Sequence, residues 1–266
     1  MDETDTDSKS TYALRTLLRG MQVLKEFTFE KPEWSPAELA RHLGWGRANI
    51  HRILLTLREA GMLEADVRNG TYHLSVTLFE LGGVMLNRLG LTAKAYPSMA
   101  WLTDSTGLSC NLGILNGQDV VYIDKIEAGT HLQLSARPGR RLPVHRTALG
   151  RAILSELPDE AVDRILERAT LRPTTPFTIT SADGIREQIE SIRRRGYSLD
   201  MQENTVGIIG LGAAIIDDRG RAFAGISMGG PASMFDPARI ETLGASIRSA
   251  ALQISKACGA TNVNLP

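Results

Sequence analysis

The chain has 266 residues, 42% of them hydrophobic, with 30 Lys and Arg balanced by 30 Asp and Glu. That length suffices for two domains with a sizeable core, and zero net charge excludes a protein that coats nucleic acid indiscriminately. No window approaches membrane-spanning length, and the two cysteines, Cys110 and Cys258, lack disulfide-scaffold or metal-ligand spacing.

Residues 1–10 carry Asp2, Glu3, Asp5 and Asp7 and read as a disordered leader. No basic segment followed by an apolar run begins the chain, so a cytoplasmic protein without membrane contact is expected. Leu14, Leu17, Leu18, Met21, Leu24 and Phe27 predict a helix that completes a small core. Ser35-Pro36-Ala37-Glu38 then has the form of a capping box with proline at the first helical position. Leu39, Ala40 and Leu43 give that helix an apolar face, and Gly44 is placed to end it in a left-handed conformation. Gly46 caps the next helix, in which Ile50, Ile53, Leu54 and Leu57 fall at i, i+3, i+4 and i+7 on one stripe.

Arg47, Ala48, Asn49, His51 and Arg52 lie at the N-terminal end of this second helix, mostly off the stripe. Two short helices joined through glycine, the second basic at its start, match the way a chain enters the major groove of DNA. Arg47 and Arg52 can contact phosphate or guanine, Asn49 can read adenine, and Ala48 can meet a thymine methyl. A capped helical hairpin with a solvated charged face is the plainer alternative. Against it stands the segment 61–74, which reads as two strands around an Asn69-Gly70 turn. A hairpin there makes the unit a winged helix-turn-helix, expected over 11–75. Locally the charge is modestly basic, with ten Lys and Arg against seven Asp and Glu from Lys9 to Tyr72.

Residues 76–91 are markedly apolar for a connector; Leu78, Phe79, Leu81, Met85, Leu86 and Leu89 cover more helix surface than one small domain buries. A core helix of the larger domain is the plainer account; a linker helix that pairs with its twin in a dimer is the one expected. A second domain follows over 92–259, with a short tail at 260–266. Its expected elements are a helix at 96–106 and strands at 108–115 and 119–125 about Asn116-Gly117. Helices follow at 147–154, 159–169 and 183–195, then strands at 206–216 and 222–228, and a last helix at 236–258. Hairpins outnumber crossovers, which predicts an antiparallel sheet with flanking helices and an α+β class overall.

Two motifs suggest catalysis. Gly225-Ile-Ser-Met-Gly229 matches the nucleophile elbow of hydrolases, yet Gly230-Pro231 follows where a helix is required and none of the five histidines comes after Ser227. Gly207-Ile-Ile-Gly-Leu-Gly212 lacks the dinucleotide-binding order, and a strand allowing close approach to a ligand explains it better. No catalytic residue, metal ligand or cofactor is expected. The residues alone leave open a second class: a small-molecule-binding or hydrolytic protein whose helical N-terminus serves only for protein docking.

The chain resembles the IclR family of bacterial transcriptional regulators from about Thr11 to Cys258. The carriers are Leu39-Ala-Arg-His-Leu-Gly44, Ile50-His-Arg-Ile-Leu54, Leu57-Arg-Glu-Ala-Gly61, Asn111-Leu-Gly113, Leu142-Pro-Val-His145, Thr147-Ala-Leu-Gly150, Arg195-Gly-Tyr197 and Ile226-Ser-Met-Gly-Gly-Pro231. The resemblance implies a dimer or dimer of dimers on a palindromic duplex operator and a GAF/profilin-like second domain that binds a small organic effector. By motif it places the effector against backbone at Ala148 and Leu149, against Asp200, and on Gly210, Ser227 and Gly229. Where members often carry Arg-Cys this chain has Ile209-Gly210, and where they often carry Ser it has Gly229. The expected effector is therefore larger or less polar than a two- or three-carbon keto acid, such as an aromatic or cyclic metabolite.

Overall fold

The computed structural model describes residues 13–129 and 137–261. The leader expected at 1–10 and most of the tail at 260–266 lie outside the described residues. The chain divides into two compact units between Arg88 and Leu89.

In the first unit, helix α1 (Arg15–Lys25) is followed by a two-residue strand β1 (Glu33–Trp34), α2 (Pro36–Leu43) and α3 (Arg47–Glu59). The capping box forms as its residues dictate: the Ser35 hydroxyl accepts from Glu38 N at 3.3 Å and Glu38 Oε2 accepts from Ser35 N at 3.1 Å. The Ser35 hydroxyl also donates to Glu38 Oε2 at 2.7 Å, and with the Ser35 N–H and then Lys31 it holds the Glu38 carboxyl down to about 2. Gly44 ends α2 at φ +66°, and α3 buries Ile50, Ile53, Leu54 and Leu57 on the expected stripe. Strands β2 (Leu63–Asp66) and β3 (Thr71–Leu74) form the wing. The loop between them has four residues, not the two of a tight Asn-Gly turn. Asp66 is the reason: its carboxylate accepts from Arg68 N and its carbonyl from Gly70 N. β1, which was not expected, pairs Trp34 with Tyr72 and completes a three-stranded sheet in the order β1-β3-β2.

One expectation fails in α1. Val23 and Phe27 enter the core with Leu24 half-buried, whereas Leu14, Leu17, Leu18 and Met21 are exposed. The two sets lie on different sides of the helix, and Gly20, buried with Val23, faces Leu57. Helix α4 (Val76–Leu89) follows the wing and buries none of its residues in this chain.

The second unit opens with α5 (Leu91–Thr106), which starts five residues before the expected position and runs through Pro97. The buried stripe Leu91, Ala95, Ser98, Met99 and Leu102 carries the helix past the proline. Strands β4 (Ser109–Asn116), β5 (Asp119–Ile126) and β6 (Arg141–Pro143) come next, then helices α6 (Ala148–Ser155), α7 (Asp159–Arg168) and α8 (Ala182–Arg195). The chain closes with β7 (Ser198–Met201), β8 (Ile208–Ile216), β9 (Ala222–Pro231) and α9 (Pro237–Ala257). The sheet is antiparallel throughout, in the order β6-β5-β4-β9-β8-β7, so the α+β architecture with flanking helices is observed.

Alternation along β8 decides which side meets which helix. Ala214 and Ile216 join Leu149 and Ile153 of α6 in one core, which leaves buried Leu211, Ala213 and Ile215 for the side where α9 packs. All eight residues of α6 are buried. The approach of its first turn explains the glycines of β8: a Cβ on Gly212 would stand 2.6 Å from the Ala148 carbonyl and 2.8 Å from Leu149 N. At Gly212, then, the close approach is to protein backbone.

Candidate nucleic-acid interface and ligand cavity

Arg47, Ala48, His51 and Arg52 all stand exposed on the first turns of α3, beside Ser35, Pro36 and Ala37 at the start of α2; together they line one open groove. Asn49 is half-buried, and its Oδ1 accepts from Arg52 Nη2 at 2.7 Å. The two side chains best suited to read a purine edge are therefore held together before any DNA arrives. Gly46 caps α3 with no side-chain hydrogen bond, and amides at such a helix start suit a phosphate. Sequence reasoning passed over Arg68, which stands exposed at the wing tip next to Val67, 93% exposed. A basic residue between two paired strands was the available signal.

The second candidate site is a cavity of about 140 Å³. Register builds its floor. One row across the sheet reads Asp200, Gly210, Gly229 and Ser109; the adjacent row on the same face reads Ser198, Gly212, Ser227 and Asn111. Gly212 in the second row admits the backbone of α6, whereas Gly210 and Gly229 in the middle of the first leave the space of the cavity open. Ala148 closes it from α6, Tyr122 and Leu142 bound one side, and Asn204, Thr205 and Ile208 the other. Of the six expected effector residues, Ala148, Asp200, Gly210, Ser227 and Gly229 line this cavity. Leu149 does not: its side chain packs over Gly113 and Gly225 in the core. Asn111, Tyr122 and Thr147 were not assigned to the site in advance, since only strand register and a helix cap bring them there.

Asp200 Oδ1 accepts from Glu203 N at 2.7 Å and from Asn204 N at 3.3 Å. Burial pushes its carboxyl up to about 6, against the opposing influence of Arg151. Burial, and next Asp200, also push the Tyr122 phenol upward. The loop carrying Asn204 and Thr205 is tied down from beneath. Arg151, fully buried in α6, donates to Glu203 Oε2 and to the Leu199 carbonyl. The Glu203 carbonyl in turn accepts from the hydroxyls of Thr174, Thr175 and Thr178 at 3.1, 3.2 and 2.6 Å.

Gly225-Ile-Ser-Met-Gly229 lies wholly inside β9, with no strand-to-helix turn at Ser227, so it is not a nucleophile elbow. Among the described residues no cluster of potential metal ligands occurs, and no helix is long and apolar enough to cross a membrane.

Residues 83–256 match the family profile described as bacterial transcriptional regulator IclR C-terminal, and residues 16–67 match the IclR helix-turn-helix domain. The HTH-type transcriptional regulator BhcR of Paracoccus denitrificans is 33% identical over 82% of this chain and 78% of its own length. The transcriptional repressor IclR of Escherichia coli is 29% identical over 94% of this chain and 92% of its own. The crystal structure of Thermotoga maritima IclR superimposes with a TM-score of 0.73 at 28% identity, covering 93% of this chain and all of that one. An IclR homologue of Microbacterium hydrocarbonoxydans in complex with 4-hydroxybenzoate shares the fold at a TM-score of 0.79 and 23% identity, over 91% of this chain and 98% of that one.

Proposed function

The chain belongs to the IclR family of bacterial transcriptional regulators, a regulator and not an enzyme, and we propose that it binds a palindromic operator as a dimer or a dimer of dimers. Its helix-turn-helix domain binds DNA and its C-terminal domain binds a small molecule. In the finer reading, Arg47, Ala48, Asn49, His51 and Arg52 meet the major groove. The effector occupies the cavity beneath α6, against Asp200, Ser227 and the backbone at Ala148. Its volume supports a ring: a cavity of roughly 150 Å³ is known to hold benzene. That a homologue of the same fold holds 4-hydroxybenzoate is consistent with this size.

Helix α4 is the observation that carries the oligomeric part. Leu81, Val84 and Met85 are 55%, 70% and 45% exposed, and no residue of the helix is buried within the chain. Leu78, Leu81, Met85 and Leu89 follow one stripe at i, i+3, i+7 and i+11, which suits the same stripe of a second copy. Pairing there fixes the separation of two recognition helices, and an effector that biases the geometry changes operator affinity by a coupling of about 1–3 kcal/mol. Leu81→Glu combined with Met85→Glu places carboxylates in that stripe. Sedimentation velocity is expected to show the wild type as an assembly and the double variant as a monomer with normal helix content. A variant that assembles like the wild type contradicts the role of α4.

A further inference from the structure

On the reading that the cavity is the effector site, we infer that its ligand is an uncharged small ring bearing hydrogen-bond donors rather than a carboxylate. The polar groups around the cavity carry this. One Asp200 oxygen is used by two backbone amides, and the carboxylate lines the cavity. Asn111, 5% exposed and one row away, has a buried Oδ1 with no partner among the described residues. The Ser227 hydroxyl, 7% exposed, lines the cavity in that same row. The Asn111 amide and the serine hydroxyl can serve a donor or an acceptor, but an ionised aspartate serves only a donor. A buried acceptor left without a donor is costly, so the ligand that fits is one that supplies N–H or O–H to Asp200.

Among the described residues, nothing lining the cavity supplies the opposite charge. Among the described lining residues there is no Lys, Arg or His. Of the cations near Asp200, one is committed elsewhere. Arg151 donates to Glu203 and to the Leu199 carbonyl beneath the loop. Arg146, half-buried just before α6, does not line the cavity; its buried Nε has no hydrogen-bond partner among the described residues, and burial and then Arg140 disfavour its charge against the pull of Asp119, Asp200 and Tyr122. Glu203 adds a further negative charge close to Asp200, and Tyr122 faces it from β5. Among the described residues no guanidinium or ammonium lines the cavity to stand between Asp200 and a ligand carboxylate, whereas a ring hydroxyl, amide or ring N–H would satisfy Asp200.

The sign of the pH dependence follows. Asp200, held at about 6, is the acceptor at pH 7.5 and largely protonated at pH 5. A donor ligand binds the ionised form and tightens as pH rises through 6. A carboxylate ligand needs the protonated form and tightens as pH falls through 6.

The test uses the full-length protein with labelled isoleucine δ1 methyls. Ile208, which lines the cavity, is the reporter, its resonance assigned with Ile208→Val. The probes are two pairs that differ in charge: 4-hydroxybenzyl alcohol against 4-hydroxybenzoate, and benzamide against benzoate. At pH 7.5 the neutral member of each pair is expected to shift Ile208 and to bind about tenfold more tightly than its anion. The gap is expected to close at pH 5 and in Asp200→Asn, whose unchanged spectrum elsewhere shows the fold intact. A gap under about threefold, a reversed gap, or one that survives in Asp200→Asn overturns the inference while leaving the cavity a binding site. Probes that leave Ile208 unmoved at every concentration overturn both this inference and the reading of the cavity as the effector site.

Discussion

Glu203→Gln is expected to destabilise the second unit by about 3–5 kcal/mol, because it strands a buried positive charge. Arg151 is 0% exposed and Glu203 is 5% exposed. With the carboxylate gone, the guanidinium keeps only the Leu199 carbonyl and a neutral amide, and its Nε already lacks a partner. Chemical denaturation read on the second unit measures the loss. The paired replacement Arg151→Met with Glu203→Leu removes both charges and is expected to recover most of that stability, since a buried ion pair is often no better than packed apolar side chains. It is not expected to recover ligand binding. The pair anchors the loop that follows β7, where Asp200 accepts from Glu203 N and where Asn204 and Thr205 line the cavity. A single variant within about 0.5 kcal/mol of wild type contradicts the role assigned to the pair.

Arg52→Ala is expected to cost about 1–3 kcal/mol of operator binding per copy, and about twice that for a dimer contacting two half-sites. Arg52 is exposed on the outward side of α3, bonded to Asn49 at 2.7 Å, so the substitution removes one contact and releases the orientation of another. Titration of a labelled duplex at fixed salt measures it. Loss confined to one base position marks Arg52 as a base reader. Loss that is uniform across sequences, with a shallower salt dependence, marks a phosphate contact. Unchanged affinity removes Arg52 from the interface.

The helix-turn-helix was legible in the sequence because its signals are local. A capping box, a left-handed glycine and a stripe at i, i+3, i+4 and i+7 each span a few residues, and each forms as read. Helix α1 was misjudged for the opposite reason. Periodicity shows that Leu14, Leu17, Leu18 and Met21 share a face, but not whether this chain or another covers it. β1 is two residues long and exists only through its pairing with β3, so no pattern announces it. The candidate cavity divides in the same way. Five of its residues were reached by motif, whereas Asn111 and Tyr122 arrive through strand register, and the tie between Arg151 and Glu203 joins positions 52 apart in the chain. The glycines of β8 were noticed, but their partner was not: Gly212 admits the backbone of α6, and Gly210 leaves room for the cavity.

Selection of bound fragments from the source genome by the purified full-length protein tests the central claim most directly. It would be run at two salt concentrations and repeated with Arg47→Ala and Arg52→Ala combined. The account predicts recovery of a palindrome whose half-sites repeat about one helical turn apart or a multiple of it, weakened by salt and lost in the double variant. Equal enrichment by the wild type and the double variant, or enrichment without a palindrome, would contradict it.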